Sequence, residues 1–352
     1  MTGKRCMCWI SVIALVSIAF GIYSCSEDPA TPEKPETIIK IYAFAGDTEM
    51  GIIVIDCTDP SSPDSVGLFD PLGPSTVKWV TISGDYLYAI VDREFPDPNE
   101  LFVIDISDPV NPKKSGSCDC PTDYCNDIVV SGDYAYVAAE DSGLATFDIS
   151  EPANPQYLDN LPVNGYAIGV AVSGNYAFVT SWDGGLHTVN IADPSHPLAA
   201  GSCIEPFHSV RIAVQGNYAY VVNEEEPAGL YVIDIEPPSS PDSVGFCAVP
   251  VSQADACDVL CVDDHAFMVW DYGLLAIDIS TPTNPTIVGG IDIDNENYCF
   301  DILDNRAYYP AERNGLHIID ISDETSLRIL GTFELSGDIY GRQVESVAVR
   351  KY

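Results

Sequence analysis

Asp127, His208 and Arg211 put a carboxylate, an imidazole and a guanidinium at or beside equivalent points of a repeating pattern. Brought together, they could serve a hydrolase or a lyase. Nothing around them forms a nucleophile–base signature, however, and a structural ion pair between Asp127 and Arg211 is the simpler expectation. Counting three residues back from the last apolar residue of each such segment gives Trp79, Asp127, Gly169, Arg211, Val259, Phe300 and Ser346. No GxSxG, HExxH or phosphate-cradling glycine loop occurs in the sequence. A second recurrent set is the polar residue of phrases such as VIDIS. Its members, Asp56, Asp105, Asp148, Asn190, Asp234, Asp278 and Asp320, are spaced 49, 43, 42, 44, 44 and 42 residues apart. Carboxylates can ligate metals, but seven copies at the end of a strand predict turns in which the side chain accepts backbone N–H groups.

Cysteine chemistry is the third possibility. Of the 12 cysteines, nine remain once Cys6, Cys8 and Cys25 are set aside, an odd number that cannot pair completely within one exported chain. Seven of them replace residues that are apolar or small elsewhere in the repeat, where free cysteine behaves as a small hydrophobe. Cys120 and Cys299 are left over. The run CDCPTDYC (118–125) could hold a disulfide or a metal, but its spacing matches no strong zinc pattern. Buried thiols with one or two local disulfides are expected here.

The elements that position these groups follow from the repeat itself. In the stretch SGDYAYVAAEDSGLATFDISEPANP (131–155), a tight Ser-Gly-Asp turn precedes one β-type run. An acidic turn then leads to a second run and a Pro-rich turn to a third. Each repeat thus holds four strands, here A (126–130), B (134–139), C (144–149) and D (156–161). Gly84, Gly132, Gly174 and Gly216 suit the positive φ of the A–B hairpin, whereas Asp263-Asp264 and Asp304-Asn305 read as a version one residue shorter. Strand C is often apolar throughout, as in LFVIDI (101–106), which predicts cover on both faces. Four-stranded sheets of about 43 residues packed face to face are the β-propeller solution. The fold class is therefore all-β. IYAFAG (41–46) reads as a strand B without a strand A before it, and VESVAV (344–349) supplies the missing strand from the other end. Seven blades result, closed by both termini in one blade, which also hides two open sheet edges.

That topology places the B–C turns and D–A connections on one face. The turns carry Asp47, Glu49, Asp92, Glu94, Asp97, Glu100, Glu140, Asp141, Asp183, Glu224, Glu225, Glu226, Asp271 and Glu312, with Trp182 and Trp270 beside Asp183 and Asp271. Such a face would attract Ca²⁺ or a basic partner, and the tryptophans add contact area. The whole chain is acidic, with 53 Asp+Glu against 15 Lys+Arg and a net charge of −38. A field of that sign disfavours nucleic acid and anionic lipid headgroups.

LFVID (101–105), LYVID (230–234) and IIVID (52–56) resemble the LVIVD-repeat proteins of bacterial and archaeal cell surfaces, and the resemblance spans nearly all of residues 38–352. It implies a propeller, and it carries no catalytic residues over to this sequence. At the N-terminus, Lys4 and Arg5 precede the uncharged run 9–25, whose length suits a signal peptide rather than a membrane span. Its end, Ile22-Tyr23-Ser24-Cys25, resembles the lipobox of bacterial lipoproteins, which implies lipidation of Cys25. Residues 1–24 are then the signal, the Pro-rich stretch 25–37 a stiff tether, and 38–352 the propeller. These readings lead to the expectation of a lipid-anchored protein at the outer membrane or cell surface. It would bind a protein or glycan partner through its acidic loop face, with no cofactor required.

Overall fold

In a computed structural model of the chain, the described residues are 39–352 apart from 49, 71–75, 94–97, 252–253, 294–298, 312–314 and 336–342. They form seven four-stranded antiparallel sheets and no helix. Blade 3 is typical: Asp127–Ser131, Tyr134–Ala138, Leu144–Asp148 and Gln156–Leu161 follow one another across the sheet. Strands B and C are buried along nearly their whole length because neighbouring blades cover both faces, as in Tyr134–Ala138 and Leu144–Asp148. Strand D, as in Gln156–Leu161, is the wetter outer edge.

The seven polar anchors behave alike. Asp56, Asp105, Asp148, Asn190, Asp234, Asp278 and Asp320 each accept, through Oδ1, the backbone N–H two residues further on, at 2.8–3.1 Å. They are turn formers. At Asp320, the Ser322 hydroxyl and then the Arg328 guanidinium hold the carboxyl at a pKa of about 2.

The ring closes as the repeat count requires. Val344–Lys351 pairs antiparallel with Ile41–Asp47, in the same sheet as Gly51–Asp56 and Asp64–Phe69. Lys40 and Tyr352 exchange two backbone hydrogen bonds at 3.1 and 2.8 Å, extending the closure past the strand ends. The outer strand of blade 7 also meets blade 1: a Cβ at Gly331 would overlap the carbonyl of Pro60, so that close approach needs glycine.

The A–B hairpins correct one expectation. Val262 pairs with His265 and Leu303 with Arg306, the same two-residue turn as Ser131 with Tyr134. No residue is missing; Asp263 (φ 50°) and Asp304 (φ 56°) occupy the left-handed position that Gly132 (φ 60°) fills elsewhere. Aspartate tolerates that region less well than glycine. Replacing both by glycine is therefore expected to raise the melting temperature by about 2 °C, measurable by calorimetry. Because Asp304 also pairs with Lys351 at 2.6 Å, the deciding variant is Asp263→Gly alone: no change, or a fall, there would mean that the turn carries no strain.

Candidate functional site

Moving the register by one residue in blades 6 and 7 changes which side chains meet at the centre. The inner strands start beside a central cavity of about 370 Å³ lined by Trp79, Asp127, Arg211, Asp258, Cys299 and Ser346. Asp258 and Cys299, rather than Val259 and Phe300, therefore complete the ring, each four residues before the hairpin-closing pair, as Asp127 is.

The charged members of this ring act as clamps between blades. Asp127 accepts the N–H of Ile128 at 2.8 Å and that of Val170, on the next blade, at 2.9 Å. Asp258 repeats the device with Val259 at 2.8 Å and Phe300 at 3.2 Å. Asp301, further along its strand, does so with Ile302 at 2.7 Å and Val349 at 2.8 Å. Arg211 donates from Nη1 to the carbonyls of Ile168 at 3.1 Å and Val210 at 3.2 Å, and its guanidinium lies 4.0 Å from the centre of the Trp79 ring. Among the described residues no direct ion pair joins Arg211 to either aspartate; its charge acts across the cavity. Burial pushes Asp258 up to about 7 against the opposing pull of Arg211, and it raises Asp127 in the same way.

His208 does not belong to that ring. Its Nδ1 lies 2.9 Å from Glu225 and its Nε2 3.8 Å from Asp183, while its ring packs on Trp182 at 4.8 Å. Asp127, Arg211 and His208 thus divide between the cavity wall and the rim. Backbone bonds tie the rim together across blades 3 to 5 and again within blade 6. Ala167 donates to Glu140 O at 3.1 Å, Trp182 to Tyr166 O at 3.0 Å, and His208 to Trp182 O at 2.6 Å. Glu224 then donates to His208 O at 3.3 Å, and Asp271 to Asp255 O at 3.2 Å. The B–C turns and D–A connections do share a face.

Residue by residue, the expected rim is only partly there. Asp141 and Asp183 are exposed, and Glu140, Trp182, Glu224 and Asp271 are half-buried. Burial, then the nearby carboxylates of Asp255 and Asp271, raises the Glu224 pKa. Trp270 is a correction: it is 4% exposed and belongs to the core, with Tyr272 set edge-on to it at 5.0 Å and presenting the open surface instead. Asp47 is fully buried and accepts Met50 N–H at 2.8 Å, and Glu100 is buried between Arg93 at 3.1 Å and Lys114 at 3.4 Å. Neither can face a partner. Cys25, Glu49, Glu94, Asp97 and Glu312 lie outside the described residues. Among the described residues, no three of His, Cys, Asp and Glu are grouped to hold a metal ion, and no helix is long and apolar enough to cross a membrane.

Four exposed aromatic residues were not anticipated: Tyr124, Tyr166, Phe207 and Tyr272. The first three occupy successive D–A connections, 42 and 41 residues apart, a period that was available in the sequence. Together with Trp182 they give the acidic rim an apolar component, the composition typical of binding surfaces.

A closed ring of seven such sheets around a narrow, clamped cavity defines a seven-bladed β-propeller. Solved structures share this fold. A putative 6-phosphogluconolactonase from Bacteroides fragilis aligns with a TM-score of 0.73 at 12% identity, over 92% of this chain and 100% of its own. Apo AztD from Citrobacter koseri aligns with a TM-score of 0.63 at 13% identity, over 89% and 99%. At these identities the likeness is one of fold. No curated protein sequence matches the chain. The LVIVD repeat matches residues 40–70, 76–120, 124–160, 164–204, 208–249, 253–292 and 302–334. The chain is a member of the LVIVD-repeat family.

Proposed function

We propose that this propeller is a lipid-anchored, extracytoplasmic binding scaffold that takes a protein or glycan partner on its B–C/D–A face and has no catalytic role. The observation that carries this reading is how the polar groups are distributed. In the cavity, both oxygens of Asp127 and of Asp258 hold backbone N–H groups, and Arg211 holds two carbonyls. On the rim, carboxylates and aromatic rings stand open to solvent together at Tyr124, Tyr166, Asp183, Phe207, Glu225 and Tyr272. Structural duty explains the first set and leaves the second unexplained. A basic segment of a protein partner fits the charge best, since the net −38 field draws cations toward the face. The lipobox-like Ile22–Cys25 supports the anchor, and lipidation at Cys25 would leave the 25–37 stretch as the tether.

The test is quantitative crosslinking and pull-down from the native envelope, comparing the wild-type chain with a Tyr166→Ala, Trp182→Ala, Phe207→Ala variant. Truncating three central aromatic contacts is expected to weaken capture at least 100-fold, at roughly 1–2 kcal/mol each. Added salt should weaken wild-type capture as well. Equal capture by both chains would reject this face. Labelling with palmitate that is lost on Cys25→Ser checks the anchor separately.

A further inference from the structure

We infer that Cys120 and Cys125 are a disulfide-forming pair that closes the D–A connection between blades 2 and 3. This deepens the binding reading, on which the expectation of an oxidising location rests. Four observations converge on this pair. Both side chains are buried, at 5% and 3% exposure, and both lie in one apolar cluster with Val103, Ile128 and Phe147. Both are free thiols in the structure, and Cys125 is the neighbour that does most to hold the proton on Cys120. The backbone is fixed on either side of the loop: Cys120 N–H donates to Asn99 O at 2.7 Å, and Asn126 N–H to Ala138 O at 2.8 Å. The two sulfurs are therefore held near each other by anchored chain. The third cysteine of the run is otherwise engaged, because Cys118 Sγ accepts the N–H of Tyr157 on blade 3 at 3.2 Å.

The loop so closed carries Tyr124, 62% exposed, and Asp123, and Cys125 lines a cavity of about 250 Å³ together with Lys78, Arg93 and Asn99. A cross-link would fix one aromatic contact of the rim without altering the blades. The chemistry is a thiol–disulfide exchange. One cysteine thiolate attacks a disulfide donor such as oxidised glutathione and releases one glutathione thiolate. The second cysteine then displaces the other, so the two cysteines lose two protons and two electrons to the donor. Because the finished site is buried, the reaction belongs to folding, before the cluster closes.

The sequence offers a direct readout. Cleavage before aspartate separates the three cysteines into fragments 108–118, 119–122 and 123–126. The full chain is unfolded, refolded with oxidised and reduced glutathione, blocked with an alkylating agent and digested. The expected product is 119–122 joined to 123–126, 2 Da lighter than the sum of the two and separable by reductant, with 108–118 alkylated. Free, alkylated 119–122 and 123–126, or a link to 108–118, would overturn the pairing. The same digest on protein isolated from the envelope tests the location. A link formed in refolding but absent there leaves the pairing standing and counts against the extracytoplasmic reading. Cys125→Ser should lower the melting temperature of the oxidised protein by several degrees and that of the reduced protein far less.

Discussion

Replacing Arg211 by methionine is expected to lower the melting temperature by roughly 10 °C at pH 8 and by only a few degrees at pH 5. Arg211 is 8% exposed, and what its guanidinium touches is two carbonyls and the Trp79 face. Losing those contacts costs something at any pH. The larger part of the effect is that Asp127 and Asp258 would remain buried with no cation near them, a situation worth about 3–5 kcal/mol. The pH dependence has a definite sign. Burial raises the pKa of both carboxyls in the fold, Asp258 to about 7, so each binds a proton more tightly folded than unfolded. The stability this contributes is complete below pH 4 and fades as pH rises through about 7. Arg211 counteracts the rise, and without it both values move higher. At pH 5 the variant keeps Asp258 neutral, but at pH 8 it must charge that carboxyl or unfold. Adding Asp127→Asn and Asp258→Asn to Arg211→Met should remove the pH dependence but not the whole loss, because each amide keeps one acceptor oxygen where the carboxylate holds two backbone N–H groups. Calorimetry at the two pH values decides: a loss of equal size at both would show that Arg211 acts through packing and not through charge.

Ending the chain before Val344 should abolish the cooperative transition altogether. The strand Val344–Lys351 pairs with Ile41–Asp47 at seven positions and buries Val344 and Val347 against blade 7 and its own sheet, and Ala348 against blade 2. Burial of two valines alone is worth about 3–6 kcal/mol, comparable with the whole stability of an ordinary domain. Its loss would also bare the inner edge of blade 1. Circular dichroism on heating should show a broad, shallow change, and size exclusion should show association. A peptide covering 343–352, supplied during refolding, should restore a sharp transition. A truncated chain that melts sharply as a monomer would mean that the ring holds without its seam.

Most of the fold was legible because it is written seven times. Each VIDIS-type phrase predicts its own turn, and all seven anchors adopt it. The closing strand was legible from an absence at one end matched by a surplus at the other. The cavity was legible only in part, because the register was counted from an apolar residue instead of from the hairpin. At Asp263 and Asp304 an aspartate adopts the backbone shape of a glycine, and the count slipped by one. That slip hid Asp258, the partner that makes the Arg211 environment intelligible. On the rim, charge was overweighted. Asp47 and Glu100 look like their exposed neighbours in sequence, yet local bonds draw them inward. Trp270 stands beside an acidic turn as Trp182 does, but it ends strand B on the buried side, where the preceding blade covers it.

The seam also imposes an order of events in time. Ile41–Asp47 is among the first strands to leave the ribosome, and its inner neighbour Val344–Lys351 is the last. At about 5–20 residues per second, some 15–60 s separate the two. Throughout that interval the first blade lacks its inner strand, and among the described residues no other strand pairs with Ile41–Asp47 on that side.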